Sequence, residues 1–209
     1  MRYFILLLAT FLFAVEVKID NVDLKNKEIT LNKYVKKGVS GVVICNYLKT
    51  PIICARAVSF GKIAKLFVYD DLKNDAFARP VVLPKKNDEV VFAKDYSRIV
   101  IIAPNQEIYL KLKNLYKNNV IISPDVLAAF LDGEINQNNL REFAKEFNIG
   151  RYIIALDKVY EVDSFSFYIV GEKNFKINAK YNKAFFTYSN NFDIKKVDFK
   201  KLIKGIDDW

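Results

Sequence analysis

The chain contains no histidine, two cysteines, one methionine and one tryptophan, and only seven glycines and five prolines among its 209 residues. Without an imidazole, serine and cysteine triads built on a histidine base are excluded, as are histidine-ligated zinc, copper and haem sites. Two thiols alone cannot complete a four-thiolate zinc site. Neither GxGxxG nor GxxxxGK[ST] occurs, and Gly61-Lys62 lacks the upstream glycine and the following hydroxyl that a phosphate cradle needs. No metal and no cofactor are therefore expected. Carboxylate or lysine chemistry survives this subtraction, with Asp70-Asp71 and Asp207-Asp208 as the available acidic pairs. A carboxylate hydrolase would need two acids converging in one cleft, about 5 to 10 Å apart. Adjacent acids are more often turn or surface residues, so the reading is of a protein that is not an enzyme.

What is present begins at the N-terminus. Arg2 precedes a run over residues 4–13 that is apolar apart from Thr10, which reads as a signal peptide cleaved after Ala14. A membrane span needs about 20 apolar residues, and this run meets Glu16, Lys18 and Asp20 first. No transmembrane span is expected in the processed chain. The first cysteine is Cys45, far from the cleavage point, which argues against a lipoprotein. Export to the periplasm or the outer cell surface follows. The body is 52% apolar and 27% charged, a folded composition in which asparagine takes turn positions that glycine would otherwise fill. Its net charge of +9 comes mainly from lysine, a hydrated point charge, and little from arginine, the fork that reads phosphates and guanine edges. No nucleic-acid partner is expected.

Periodicity predicts an α+β fold: a small β-barrel-like or bent-sheet module over residues 15–96, then a small α/β layer module over 97–171. A basic strand-and-helix extension over 172–209 follows the signal peptide (1–14) and these two modules. Short strands are predicted at 17–22, 28–31, 39–47, 52–59, 62–69 and 89–94, with a possible short turn at 70–78. Pro84 to Val90 reads as a turn, with Asn87 where a left-handed glycine often sits. Residues 99–103 form the continuous apolar run of a doubly covered central strand. Asn105 can cap a helix whose apolar face is Ile108, Leu112 and Leu115. A strand at 120–122 precedes a helix opened by Ser123-Pro124 and closed by Gly133. Leu140, Phe143, Ala144 and Phe147 mark a third helix. Strands at 152–156, 159–162 and 165–170 are joined by tight turns at Asp157-Lys158 and Asp163-Ser164. A further strand is predicted at 184–188, and Phe199, Leu202, Ile203 and Ile206 form the stripe of a terminal helix capped by Asp198.

The two cysteines lie in VVICNYLKTPIICARAV, which reads as a hairpin. A loop symmetric about the Lys49-Thr50 bond places Cys45 and Cys54 opposite each other, within disulfide range in an oxidising compartment. Two small buried apolar residues are the other reading.

Six segments carry a likeness to a known family: GVSGVVICNY (38–47), IICARAV (52–58), LFVYDDLKNDAFARP (66–80), RIVIIAPNQEIY (98–109), SPDVLAAFL (123–131) and IIALDKVYEVD (153–163). In this order they resemble the N-terminal domain of the plasminogen-binding surface proteins of spiral gastric and enteric bacteria. The resemblance implies a cell-envelope protein that captures host plasminogen, whose kringle modules bind a cation and a carboxylate held apart as in a C-terminal lysine. This chain ends in Asp207-Asp208-Trp209, so capture would call on internal lysines near acids. Lys195, Lys196, Asp198, Lys200, Lys201 and Lys204 are the densest such cluster; Tyr188 and Trp209 are nearby aromatics that nothing singles out. The bland reading of that cluster is a terminal helix docked on the body with solvated lysines. For the whole chain, the alternative to host binding is a periplasmic structural or assembly module that docks on another envelope protein.

Overall fold

The computed structural model describes residues 14–71, 82–175, 177 and 183–203. Strands β1 (Val15–Asp23), β2 (Glu28–Val35), β3 (Ser40–Tyr47), β4 (Thr50–Ser59), β5 (Gly61–Phe67) and β6 (Glu89–Phe92) form a closed barrel in the order β1-β2-β5-β4-β3-β6. All pairings are antiparallel, and β6 closes the ring by pairing with both β1 and β3. Alternation drives the closure. Val17, Ile19, Ile29, Leu31, Val43, Val90 and Phe92 point inward and are almost fully buried, while their strand neighbours face outward. Closure also leaves no bare sheet edge.

The second sheet has the order β11-β10-β9-β7-β8. It contains β7 (Arg98–Ile102), β8 (Val120–Ile122), β9 (Arg151–Ala155), β10 (Val159–Asp163) and β11 (Ile169–Lys173), with β7 parallel to β8 and to β9. The apolar run of β7 is covered on both faces, as its sequence requires. Ile99 and Ile101 pack with Ile108, Tyr109, Leu112 and Tyr116 at helix α1 (Gln106–Leu115). Val100 and Ile102 pack with α2 (Pro124–Leu131) and α3 (Gln137–Glu146). The caps are those read from the residues: the side chain of Asn105 accepts from Ile108 N at 2.9 Å, and Ser123 caps α2 with Pro124 at its first turn. The chain from 183 to 203 then folds back over the α2/α3 face. Ala184, Phe185, Ile194, Phe199 and Ile203 enter that core, the last two around the short helix α4 (Phe199–Leu202).

Several expectations are corrected. Leu115 is exposed, because the buried face of α1 runs through Tyr109 and Tyr116 instead. Residues 184–188 form no strand; Phe186 N donates to Ala103 O and Tyr188 N to the Asp125 carboxylate, which ties them to the body. Asp163-Ser164 is not a tight turn. The loop runs from Asp163 to Tyr168, because the Asp163 carboxylate turns inward and holds the amides of Phe165 (3.0 Å) and Ser166 (2.8 Å). Strand β11 accordingly begins only at Ile169. The β3–β4 hairpin is centred on Leu48-Lys49, both at positive φ (48° and 69°), so Cys45 pairs with Ile52 and Cys54 occupies a bulge. Cys45 and Cys54 are nevertheless joined by a disulfide, with Cα atoms 5.7 Å apart. The bulge, not direct opposition, brings them together. Residues 72–78 of the expected turn, Ile206 and the segment 1–13 lie outside the described residues.

A buried polar seam joins the barrel to the second sheet. Asp163 is fully buried, and its Oδ2 accepts from Ser40 N (2.9 Å), Ser40 Oγ (2.7 Å) and the Tyr96 hydroxyl (2.7 Å). Two residues earlier on the same face of β10, Glu161 pairs with Arg151, accepts from the Tyr116 hydroxyl at 2.8 Å and meets Lys173 at 3.2 Å. Arg151 also donates twice to the carbonyl of Tyr96. Gly38 lets the modules close: its φ is +86°, and a Cβ there would lie 2.1 Å from Cβ of Tyr168. Val170 belongs to the barrel core, so the second sheet plugs this end of the barrel. Strand directions place the β1–β2 turn, the β3–β4 turn and the lead-in to β6 at the opposite end.

Replacing Asp163 by alanine strands five donors, and the expected loss is at least about 3 kcal/mol, read by urea denaturation. Burial pushes Glu161 up, but Arg151, the Tyr116 hydroxyl and Lys173 outweigh it and hold its carboxyl below the ordinary value of 4.5. Its stabilisation is therefore complete above pH 4.5 and is lost as the pH falls through the lower native value. Glu161→Gln should flatten that acid limb of a stability–pH profile. Burial holds the Tyr96 and Tyr152 hydroxyls well above 10, so stability should also decline as the pH rises past 10 and only the unfolded chain ionises. The cystine closes a short loop, and its reduction should lower the unfolding free energy by about 2 kcal/mol; equal denaturation midpoints with and without reductant would contradict this.

Candidate functional site

Two features of the surface invite a ligand or partner: a cleft beside the seam and the lysine-bearing segment after residue 183.

The cleft has a volume of about 360 Å³, near the lower end of the roughly 300 to 1,000 Å³ typical of ligand sites. The barrel contributes Arg56 on β4 and the chain leaving β5; α3 contributes Arg141, Glu142 and Lys145; the β10–β11 loop contributes Phe165. Asp70 and Asp71 both line it, and each is engaged by a different cation. Asp71 pairs with Arg56, and Asp70 meets Lys145 at 3.2 Å. Glu142 lies 3.9 Å from the same lysine. Arg56 also sits 4.6 Å over the Phe165 ring, which packs edge-on against Phe67. Burial and the Asp71 charge push the Tyr69 hydroxyl up, and burial pulls the Arg141 guanidinium down. The Arg56–Asp71 pair lies within the barrel module, and the Asp70–Lys145 pair crosses to α3. The arrangement is that of an ion-paired joint, in which the two neighbouring acids of the sequence are each held by a different cation.

The second feature is built differently. Ile194, Phe199 and Ile203 anchor the segment in the core, which turns the intervening polar residues outward. Lys195, Lys196, Asp198, Lys200 and Lys201 are all exposed. Asp198 caps α4, accepting from Lys200 N at 3.0 Å. Lys200 reaches Asp157 at 3.3 Å. Among the described residues, no carboxylate lies within ion-pairing distance of Lys195, Lys196 or Lys201. Lys204, Trp209, Asp207 and Asp208 lie outside the described residues. Tyr188 is exposed but is committed to an aromatic cluster, 5.0 Å from Phe186 and 5.7 Å from Tyr109. Burial and then the neighbouring Tyr188 hydroxyl push the Tyr109 hydroxyl up to about 12. Ala14 is exposed at the first described position, immediately before β1.

Sequence reasoning named Asp70-Asp71 of the cleft but passed over its cations and the buried pairing of the seam. A signal was there: Arg56 in IICARAV and Arg151 before YIIAL are lone cations at apolar strands, and a charge in that setting needs a buried partner.

A family model described as the N-terminal region of plasminogen-binding protein pgbA matches residues 14–208. Two curated relatives, each named Plasminogen-binding protein PgbA, come from Helicobacter pylori strains J99 and 26695. They are 27% and 26% identical over 165 residues, covering 75% of this chain. The match covers only 37% and 36% of the relatives, so this chain spans little more than a third of their length. No solved structure matches the chain. The likeness carried by the six segments is thus borne out, and the relatives' printed name describes a binding protein.

Proposed function

Because this chain belongs to the family of plasminogen-binding protein N-terminal regions, we propose that it is an exported, non-catalytic envelope protein that captures plasminogen through surface lysines. The observation that carries the reading is the anchored segment after residue 183. It holds Lys195, Lys196 and Lys201 exposed around Asp198, with a fixed backbone behind them. A kringle-type site reads a cation and a carboxylate at a set separation, and internal lysines flanking an acid on an ordered segment present that pair at little ordering cost. The Cys45–Cys54 disulfide supports an oxidising destination, consistent with export to the periplasm or the outer surface. Among the described residues, no helix is long and apolar enough to cross a membrane.

The short span relative to the curated relatives favours a second reading, in which this region is an envelope scaffold and host binding resides in the longer proteins' remaining length. The two readings differ in one experiment. On immobilised plasminogen, the purified protein should bind, and a soluble lysine analogue should release it. A joint Lys195→Ala, Lys196→Ala, Lys201→Ala variant should bind at least about tenfold more weakly, a loss of roughly 1.4 kcal/mol. Binding that is indifferent to the lysine analogue would remove the lysine-reading mechanism, and absence of binding would favour the scaffold.

A further inference from the structure

The end of the barrel away from the second sheet has its own pattern. Three connections adjoin one another around this mouth, since β6 lies between β1 and β3 in the ring. Each carries an exposed leucine close to lysine: Leu24 (48% exposed) before Lys25 and Lys27, Leu48 (82%) before Lys49, and Leu83 (52%) before Lys85 and Lys86. Tyr47, 44% exposed, stands beside Leu48. The β3–β4 tip is the most demanding of the three. A two-residue turn with both residues at positive φ favours Asn-Gly, yet Leu48 and Lys49 occupy it. Beyond Ile44, β3 has no register partner on β6, so residues 45–52 extend past that neighbour with the disulfide at their base.

The charges are sorted. All five lysines are exposed at the connections. The acids nearest the tips are half-buried and turned back on the chain: Asp23 accepts from Asn26 at 3.0 Å, and Asp88 from Lys85 N at 2.7 Å. Glu28, opposite Asp23, is likewise half-buried, as is Glu89, and Asp20 lies on β1. Convex, leucine-tipped loops with lysines on their shoulders do not form a groove for a peptide. They match an interface whose interior is apolar and whose surface is negative, where leucine and tyrosine enter the headgroup zone and lysines meet phosphates.

We infer that the barrel mouth away from the second sheet docks on an anionic lipid bilayer through Leu24, Leu48 and Leu83 and the lysines beside them. This surface is separate from the lysine segment after residue 183 and does not depend on it. The test places a reporter at the tip. In the full chain with Trp209→Phe, Leu48→Trp supplies the sole indole, and Val120→Trp, at an exposed edge of the second sheet, serves as the control. Vesicles of equimolar phosphatidylglycerol and phosphatidylcholine should shift the emission of the Leu48→Trp protein to the blue and leave the Val120→Trp protein unchanged. Vesicles of phosphatidylcholine alone should give a weaker shift, and added salt should reverse the anionic one. Adding Lys49→Gln should lower partitioning about fivefold. No shift at the tip with anionic vesicles, or an equal shift at both positions, overturns the inference. A tip response to plasminogen but not to vesicles overturns it as well and assigns the mouth to the protein partner. Because both variants share one N-terminus, any binding through residues 1–13 affects them alike and does not mimic insertion of the tip.

Discussion

The carboxylate of Asp163 sits where the barrel, the 93–97 connection and the β10–β11 loop converge, and each supplies donors to it. An isolated carboxylate taken out of water costs several kcal/mol even after relaxation. Here the cost is offset only when all three pieces are in place, so the group acts as a test of assembly: a misplaced β3 leaves it short of two partners. Glu161 extends the same logic along β10, with Arg151 bridging it to the carbonyl of Tyr96. The seam therefore couples the two cores, beside the apolar contacts that Val170 makes in the barrel core and Phe165 makes with Phe67. It also fixes which end of the barrel the second sheet seals.

Alternation and capping made most elements legible from the residues alone. The strands of the barrel follow from period-two patterns, and α1 and α2 begin where Asn105 and Ser123 predict. Most of what escaped has a common cause. Local patterns cannot see a partner distant in sequence, and three of the missed features depend on one. The Asp163 loop reads as a two-residue turn until Ser40, 123 residues earlier, claims the carboxylate. Leu115 competes with Tyr116 for one helix face, and Tyr116 wins because Glu161 awaits its hydroxyl. The tail reads as a strand at 184–188, but Phe185 is drawn into the α2/α3 core instead of joining a sheet edge. For the candidate sites the same division holds. The lysine segment was visible as composition and periodicity, whereas of the cleft, assembled from β4, the chain after β5 and α3, only the Asp70-Asp71 pair was.

The cystine shows how a correct pairing can rest on a different geometry. Direct opposition of Cys45 and Cys54 requires a loop centred one residue later than the one formed. The Leu48-Lys49 turn shifts the register, and a bulge at Cys54 restores the approach. An isolated two-stranded hairpin is marginal in water, and this one projects past its β6 neighbour while holding two non-glycine residues left-handed at its tip. Covalent closure at its base makes such a tip sustainable, and the same closure keeps Cys45 fully buried in the barrel core.

Arginine and lysine divide the remaining work by their chemistry. Every described arginine serves the interior: Arg56 binds Asp71, Arg98 donates to the carbonyl of Phe147, Arg141 to that of Phe165, and Arg151 to Glu161 and Tyr96. Their planar forks suit fixed multidentate partners. The lysines of the three barrel loops and of the segment after residue 183 stay in solvent as hydrated point charges. A nucleic-acid reader would be expected to spend arginines outward on phosphates and base edges, so the positive excess of this chain is displayed in the wrong currency for that task. It is displayed in the right one for surfaces that recognise an ammonium group on a flexible stem, or for a bilayer that responds to net charge and little else.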